Sequence, residues 1–112
     1  MYVLVWRYRV ARESEAAFTA SYGADGDWAR LFGRAAGYLG TELLRDAEPD
    51  GPSVAFVTLD RWESPERYSD FLSRFDAEYR RLDEACEALT ENETFLGSFR
   101  LASDTGAELG PD

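Results

Sequence analysis

The sequence predicts an α+β fold: one antiparallel sheet of four strands with two helical crossovers packed on one face. Three observations carry this. Four stretches, 2–10, 38–46, 53–63 and 93–101, read as strands, and 53–63 is rich in β-branched and aromatic residues. Between the first and second, and between the third and fourth, apolar residues recur at three- and four-residue steps, the period of an amphipathic helix. The order β-α-β-β-α-β is the split-βαβ signature of a ferredoxin-like sandwich, expected over 1–102 as one domain.

Residues 2–10 set Tyr2, Leu4, Trp6, Tyr8 and Val10 on one side and Val3, Val5, Arg7 and Arg9 on the other, the alternation of a half-polar strand. A helical segment, 14–22, carries Ala17, Phe18 and Tyr22. Gly23 and Gly26 interrupt it, because each glycine inside a helix costs about 1 kcal/mol. Asp25 or Asp27 is then placed to cap a second piece, 28–35, with Trp28, Leu31, Phe32 and Ala35 as its apolar members. Gly37 ends that crossover. The strand 38–46 leads through the Pro- and Gly-rich loop 47–52 into 53–63, apolar on both parities and therefore expected to be covered on both faces. Ser64-Pro65-Glu66 is a helix start: a side-chain cap, a residue suited to the first helical position and an acid at the positive end. One long helix is expected to run on to Leu89, striped by Tyr68, Phe71, Leu72, Phe75, Tyr79, Leu82 and Cys86. After a turn at 90–92 comes the last strand. The acidic, Gly- and Pro-containing tail 103–112 reads as disordered.

Composition restricts the chemistry. The 112 residues include 12 basic and 22 acidic ones, a net charge of −10, so neither nucleic acid nor an anionic membrane surface is an expected partner. No signal peptide or membrane span is apparent, and a cytoplasmic protein is expected. Every basic residue is Arg; there is no His and no Lys. That removes an imidazole base, a proximal haem ligand and a Schiff-base amine. Cys86 is the sole cysteine, so no intramolecular disulfide can form, and its place on the apolar stripe fits a buried small hydrophobe. Arg7 and Arg9 fit exposed strand positions that discourage edge pairing. Asp60, on the strand face of Trp62, would act as a base if desolvated, though a solvated surface carboxylate is the commoner case.

Helices cover only one side of such a sheet. Val3, Val5, Leu39, Leu43, Ala55, Val57, Leu59 and Leu96 then form a second apolar surface, opposite in parity to Trp6, Phe56, Trp62, Phe95 and Phe99. A homodimer meeting through this face is expected, because an open apolar sheet is rarely left in water.

The layout, and especially the strand-end Trp62 followed by Glu63-Ser-Pro-Glu66 and an aromatic-striped helix, resembles the antibiotic biosynthesis monooxygenase family of dimeric α+β-barrel proteins. Tyr22-Gly-Ala-Asp-Gly-Asp-Trp28 and Gly37-Tyr-Leu-Gly-Thr-Glu42 add to the resemblance, which spans residues 2–101. It implies a pocket between sheet and helices in each subunit, and in some members oxidation of polycyclic phenols to quinones by molecular oxygen without cofactor or metal. Its site residues would be Trp62 and Tyr68, with Thr58 where those members have Asn; their helix Arg falls near Leu82. Phe18, Tyr22, Trp28, Phe32, Phe71, Phe75 and Phe99 are candidates to line the cavity around a small aromatic ligand, although residues at helical spacing more often simply pack. Trp62 has two open roles, core anchor and ligand wall. A non-catalytic dimeric binding or stress-response module, or isomerase or cyclase chemistry, fits the same scaffold.

Overall fold

In a computed structural model that describes residues 1–103, the strands and helices follow the expected order. The expected tail, 103–112, lies outside the described residues except for Ser103. Strand β1 (Tyr2–Ala11) leads through a 3₁₀ turn to α1 (Glu15–Tyr22) and α2 (Asp27–Phe32). Then come β2 (Tyr38–Arg45), β3 (Ser53–Trp62), α3 (Pro65–Arg74), α4 (Asp76–Cys86) and β4 (Asn92–Arg100). All pairings are antiparallel, in the order β2-β3-β1-β4. No described helix is long and apolar enough to cross a membrane.

The core lies between the helices and the sheet face that carries the even-numbered residues of β1 and β3. Leu4, Tyr8, Val10, Val54, Phe56 and Trp62 meet Phe18, Tyr22, Trp28, Leu31, Phe32, Phe71 and Cys86 there. Odd-numbered β1 residues face the other way, and Arg7 and Arg9 among them are exposed.

Two β-bulges correct the expected face assignment. In β2 the register against β3 slips between Tyr38 and Gly40, and in β4 the register against β1 slips opposite Val5 and Trp6. Each bulge inserts one residue and so flips every side chain beyond it to the other face. Leu43, expected on the open face, therefore pairs with Thr58 and packs on the core, while Leu44 takes the open side at 47% exposure. Phe99, expected beside Trp62, pairs instead with Val3 on the open face and is 53% exposed. Gly40 and Gly97 sit at these bulges with φ of 132° and 138°, a region that favours glycine.

The helix expected over 64–89 is broken. Ser64 caps its start by accepting the Arg67 backbone N–H at 3.2 Å, with Pro65 following. At Phe75 the backbone leaves the helical region (φ −113°, ψ 28°), and α4 starts afresh and packs against α2. Phe75 stacks on Phe71 at 5.5 Å between centroids, under the Arg34 guanidinium. Neither Asp25 nor Asp27 caps α2; Gly26 holds that position, and Asp27 accepts the Ser21 hydroxyl at 2.9 Å and pairs with Arg30.

Phe71 is wholly buried among Phe32, Trp62, Phe75 and Tyr79. Phe71→Ala is expected to lower unfolding free energy by about 3–5 kcal/mol in urea denaturation; a loss under about 1 kcal/mol would place Phe71 outside the core.

Candidate functional site

The period of β1 and β3 brings Trp6, Tyr8, Thr58 and Asp60 onto one patch of sheet, and the bulge at Gly40 adds Thr41 beside them. Tyr22 of α1, Trp28 and Phe32 of α2, Tyr68 of α3 and Tyr79 of α4 close over this patch. Asp83 and Glu93 stand at the rim. The result is a narrow slot with aromatic walls and three carboxylates.

Asp60 is the polar centre of the slot. It is 8% exposed, which corrects the expectation of a surface carboxylate. Its Oδ1 accepts the Thr41 hydroxyl at 2.7 Å, and the Tyr38 hydroxyl lies 2.6 Å from the same Thr41 oxygen. With Thr41 donating to Asp60, Tyr38 donates to Thr41. A chain of hydroxyls thus runs from the buried carboxylate to the half-buried Tyr38. Among the described residues no arginine pairs with Asp60. Burial pushes its pKa up to about 6, against the smaller opposing effect of the Thr41 hydrogen bond. A carboxylate left unpaired in so dry a place can take a proton near neutral pH.

The phenols respond to the same environment. Burial holds Tyr8 and Tyr68 well above the ordinary tyrosine range, and nearby Asp60 adds to it for both. Tyr8 and Thr58 hydroxyls lie 3.3 Å apart, with Thr58 only 2% exposed, so Thr58 already has a protein partner. Tyr79 is raised by desolvation and then by the charges of Asp83, Glu93 and Asp60.

The expected site residues divide into those on the slot and those behind it. Thr58, Tyr68, Tyr22, Trp28 and Phe32 line it. Trp62 is wholly buried and does not; it is the anchor between sheet and helices, with Phe32, Tyr38, Tyr68 and Phe71 rings 5.3–5.7 Å from its own. Phe18 and Phe71, also wholly buried, lie in that rear layer; Phe75 packs away from the slot, and Phe99 is on the opposite sheet face. Trp6, Tyr8, Thr41, Tyr79, Asp83 and Glu93 are lining residues the sequence reading did not select. The parity of β1 would have found Trp6 and Tyr8, which share a face with Leu4. Gly40 inside a strand was the signal for Thr41.

The slot is narrower than the expected hollow. It encloses about 50 Å³, room for a few water molecules and well under the ~300 Å³ at which small-molecule pockets begin. Tyr22, Asp83 and Glu93 also belong to the wall of a wider, more open hollow of about 360 Å³ between α4 and β4. Slot and hollow together form a tight inner end with an acidic mouth. Among the described residues no three His, Cys, Asp or Glu side chains converge as a metal-binding group.

This fold, with its slot between sheet and helices, defines a class of small α+β proteins. The same fold occurs in SnoaB, a cofactor-independent oxygenase from Streptomyces nogalater: a SnoaB variant matches with a TM-score of 0.65 over 88% of this chain and 90% of that one, at 22% identity. A Bacillus cereus protein provisionally called an antibiotic biosynthesis monooxygenase matches with a TM-score of 0.62 over 89% of each chain, at 12% identity. PA3566 from Pseudomonas aeruginosa matches with a TM-score of 0.58 over 90% of this chain and 94% of that one, at 20% identity. No family model matches this chain, and no curated protein matches it. The likeness at these identities is one of fold, and it is the fold that the strand-Trp-helix resemblance implied.

Asp60 also makes a prediction about stability. Its pKa is raised from an ordinary 3.8 to about 6, so the folded state binds its proton more tightly than the unfolded state does. Its contribution is therefore most favourable below pH 4 and is lost as pH rises to about 6, a cost of about 3 kcal/mol above that. Asp60→Asn is expected to be more stable than wild type at pH 8, with the difference shrinking to near zero below pH 4 in paired denaturant titrations. A difference independent of pH would mean that Asp60 is solvated.

Proposed function

We propose that this chain is a cofactor-independent oxygenase that acts on an aromatic small molecule, with Asp60 as general base. The observation that carries the reading is the unpaired carboxylate on the wall of an aromatic slot, kept at a cost to stability that a structural residue would not need. The reaction class is conversion of an activated ring methylene to a carbonyl. Asp60 takes a proton from the C–H; the resulting delocalised anion gives an electron to O2; the two radicals combine in a carbon–oxygen bond as a peroxide, which takes a proton back; and loss of the second C–H proton with cleavage of the O–O bond expels water and leaves C=O. One O2 is consumed and one water released per methylene. Aromatic walls hold the ring and exclude water, so the anion meets O2 before it is reprotonated. Thr41 and Tyr38 offer the proton a way out from Asp60 along their hydroxyls.

Tyr68 stands on the slot at the start of α3, where its hydroxyl can bond a substrate oxygen, and Trp62 supports it from behind. The ring substrates of such chemistry exceed the slot as it stands. Binding therefore requires the side chains that roof it, Tyr68 and Tyr79 on α3 and α4, to swing aside.

A second reading has its own support: the slot's small volume, and Thr58 at the position of the family's Asn, already engaged by Tyr8. On this reading the chain is a non-catalytic dimeric binding or stress-response module. Oxygen uptake with an anthrone-type phenol separates the two. The oxygenase reading expects uptake above the uncatalysed rate, with kcat/KM rising through pH about 6 as Asp60 ionises. Asp60→Asn should lower it by about 10²–10⁴-fold. Equal rates with and without protein favour the binding module.

We also infer that two copies pair through the open sheet face, where Val3, Val5, Val57, Leu59, Leu44 and Phe99 present an apolar surface. Light scattering at micromolar concentration should give the mass of two chains, and Leu59→Asp should give one. A monomeric wild type overturns the pairing.

A further inference from the structure

Side chains three apart in a regular strand point to opposite faces, so an unbroken β2 could not turn Tyr38 and Thr41 the same way. The bulge between Tyr38 and Gly40 removes that obstacle: Tyr38 stands opposite Trp62 and Thr41 opposite Asp60, with their hydroxyl oxygens 2.6 Å apart. Gly40 is required there by its backbone, at φ 132°, and not by any lack of room, since a Cβ at this position meets no atom within 4 Å. A glycine that weakens a strand and fills no tight space is accounted for by what its bend places.

What it places is a donor against Asp60. On its other flank Asp60 faces Leu4 of β1, which is buried and has no polar side-chain atom. Among the described residues the only side-chain hydrogen bond to Asp60 comes from Thr41, and it goes to Oδ1 at 2.7 Å. Oδ2 takes none, yet it is not sealed in the core, and Asp60 borders the slot. The two oxygens are therefore unlike: Oδ1 is held from β2, and Oδ2 is the one open to the slot. Tyr38 sharpens the hold, because its hydroxyl donates to the Thr41 oxygen and leaves the single Thr41 hydrogen for Oδ1.

Resting on the reading of Asp60 as the base, we propose that Thr41 is its positioning residue: the Gly40 bulge turns Thr41 and Tyr38 to one face, and their paired hydroxyls hold Oδ1 so that Oδ2 receives the proton. The hold acts on charge as well as on direction. A hydroxyl that donates to the carboxylate favours its ionised form, against the burial that disfavours it. The other titratable groups around Asp60 and its slot are mostly phenols: Tyr8 of β1, Tyr22 of α1, Tyr38 of β2, Tyr68 of α3 and Tyr79 of α4. Burial holds each above the ordinary tyrosine range, so each stays neutral while Asp60 titrates. Asp83 and Glu93 are the other charged groups, at the rim, and the substitutions below leave both in place.

The test is the Asp60 titration in variants of the full-length chain, followed by carboxyl carbon shifts in NMR, with oxygen uptake measured alongside. Thr41→Val keeps the shape and removes the hydroxyl; the Asp60 midpoint is expected to rise from about 6 to about 7 or higher. Thr41→Ala, which asks no methyl to replace the hydroxyl, should do the same, and Thr41→Ser should return the midpoint to about 6. In uptake with an anthrone-type phenol the rising limb of kcat/KM should move with the midpoint, leaving Thr41→Val about five-fold slower than Thr41→Ser at pH 6 from ionisation alone. At pH 9, where both are ionised, Thr41→Val should remain about ten-fold slower because Oδ2 is no longer aimed. A midpoint unmoved in the Val and Ala variants, a rise in the Ser variant equal to theirs, or equal rates at pH 9 overturns the proposal. The outcome is separable from that of the oxygenase reading: midpoints that move as stated in a protein that consumes no oxygen keep the hold on Asp60 and remove the reaction. Uptake above the uncatalysed rate with the Thr41→Val midpoint unmoved does the reverse.

Discussion

The packing of Trp62 is the contact on which the rest of the structure depends. The indole ends β3, is wholly buried, and is met by rings from α2, from the start of β2 and from α3. It fixes the height of the helices above the sheet. Further along the same face the sheet presents Tyr8, Thr58, Asp60 and Thr41, side chains that leave gaps where Trp62 leaves none. The slot exists because one part of the interface is filled by an indole and the neighbouring part by hydroxyls and a carboxylate.

Asp60 is costly in that position. Desolvation disfavours its charge, and only a hydroxyl compensates. Replacement by Asn would keep an acceptor for Thr41 without the ionic cost. A group that weakens folding and can ionise near neutral pH, at the wall of an aromatic slot, is suited to moving a proton. Asp83 and Glu93 lie at the mouth of the same slot.

Most of the fold was legible because strand and helix periods are strong signals when whole segments obey them. The four strands, the interrupted crossover and the Ser64-Pro65 helix start all follow from local residue choice. Faces were less legible where a single inserted residue changes parity. Leu43 and Phe99 were misplaced because Gly40 and Gly97, the residues that permit the bulges, were read through as ordinary strand positions. The break at Phe75 lacked a local signal, since no Gly or Pro marks it; beyond it α4 packs on α2. At the site, residue type identified the rings but could not tell wall from filling: Trp62, Phe18 and Phe71 are filling, Tyr22, Trp28 and Phe32 are wall. Asp60 was visible as a residue on the right face, and only its burial, set by elements distant in sequence, makes it chemically active.

The central claim is that Asp60 is a dry carboxylate poised near neutrality. Side-chain carboxyl carbon shifts followed by NMR as a function of pH, with Asp60 assigned by comparison with Asp60→Asn, measure it directly. The account predicts a midpoint at about 6. A midpoint near the ordinary aspartate value of about 4 would mean that water reaches the carboxylate freely, and would contradict it.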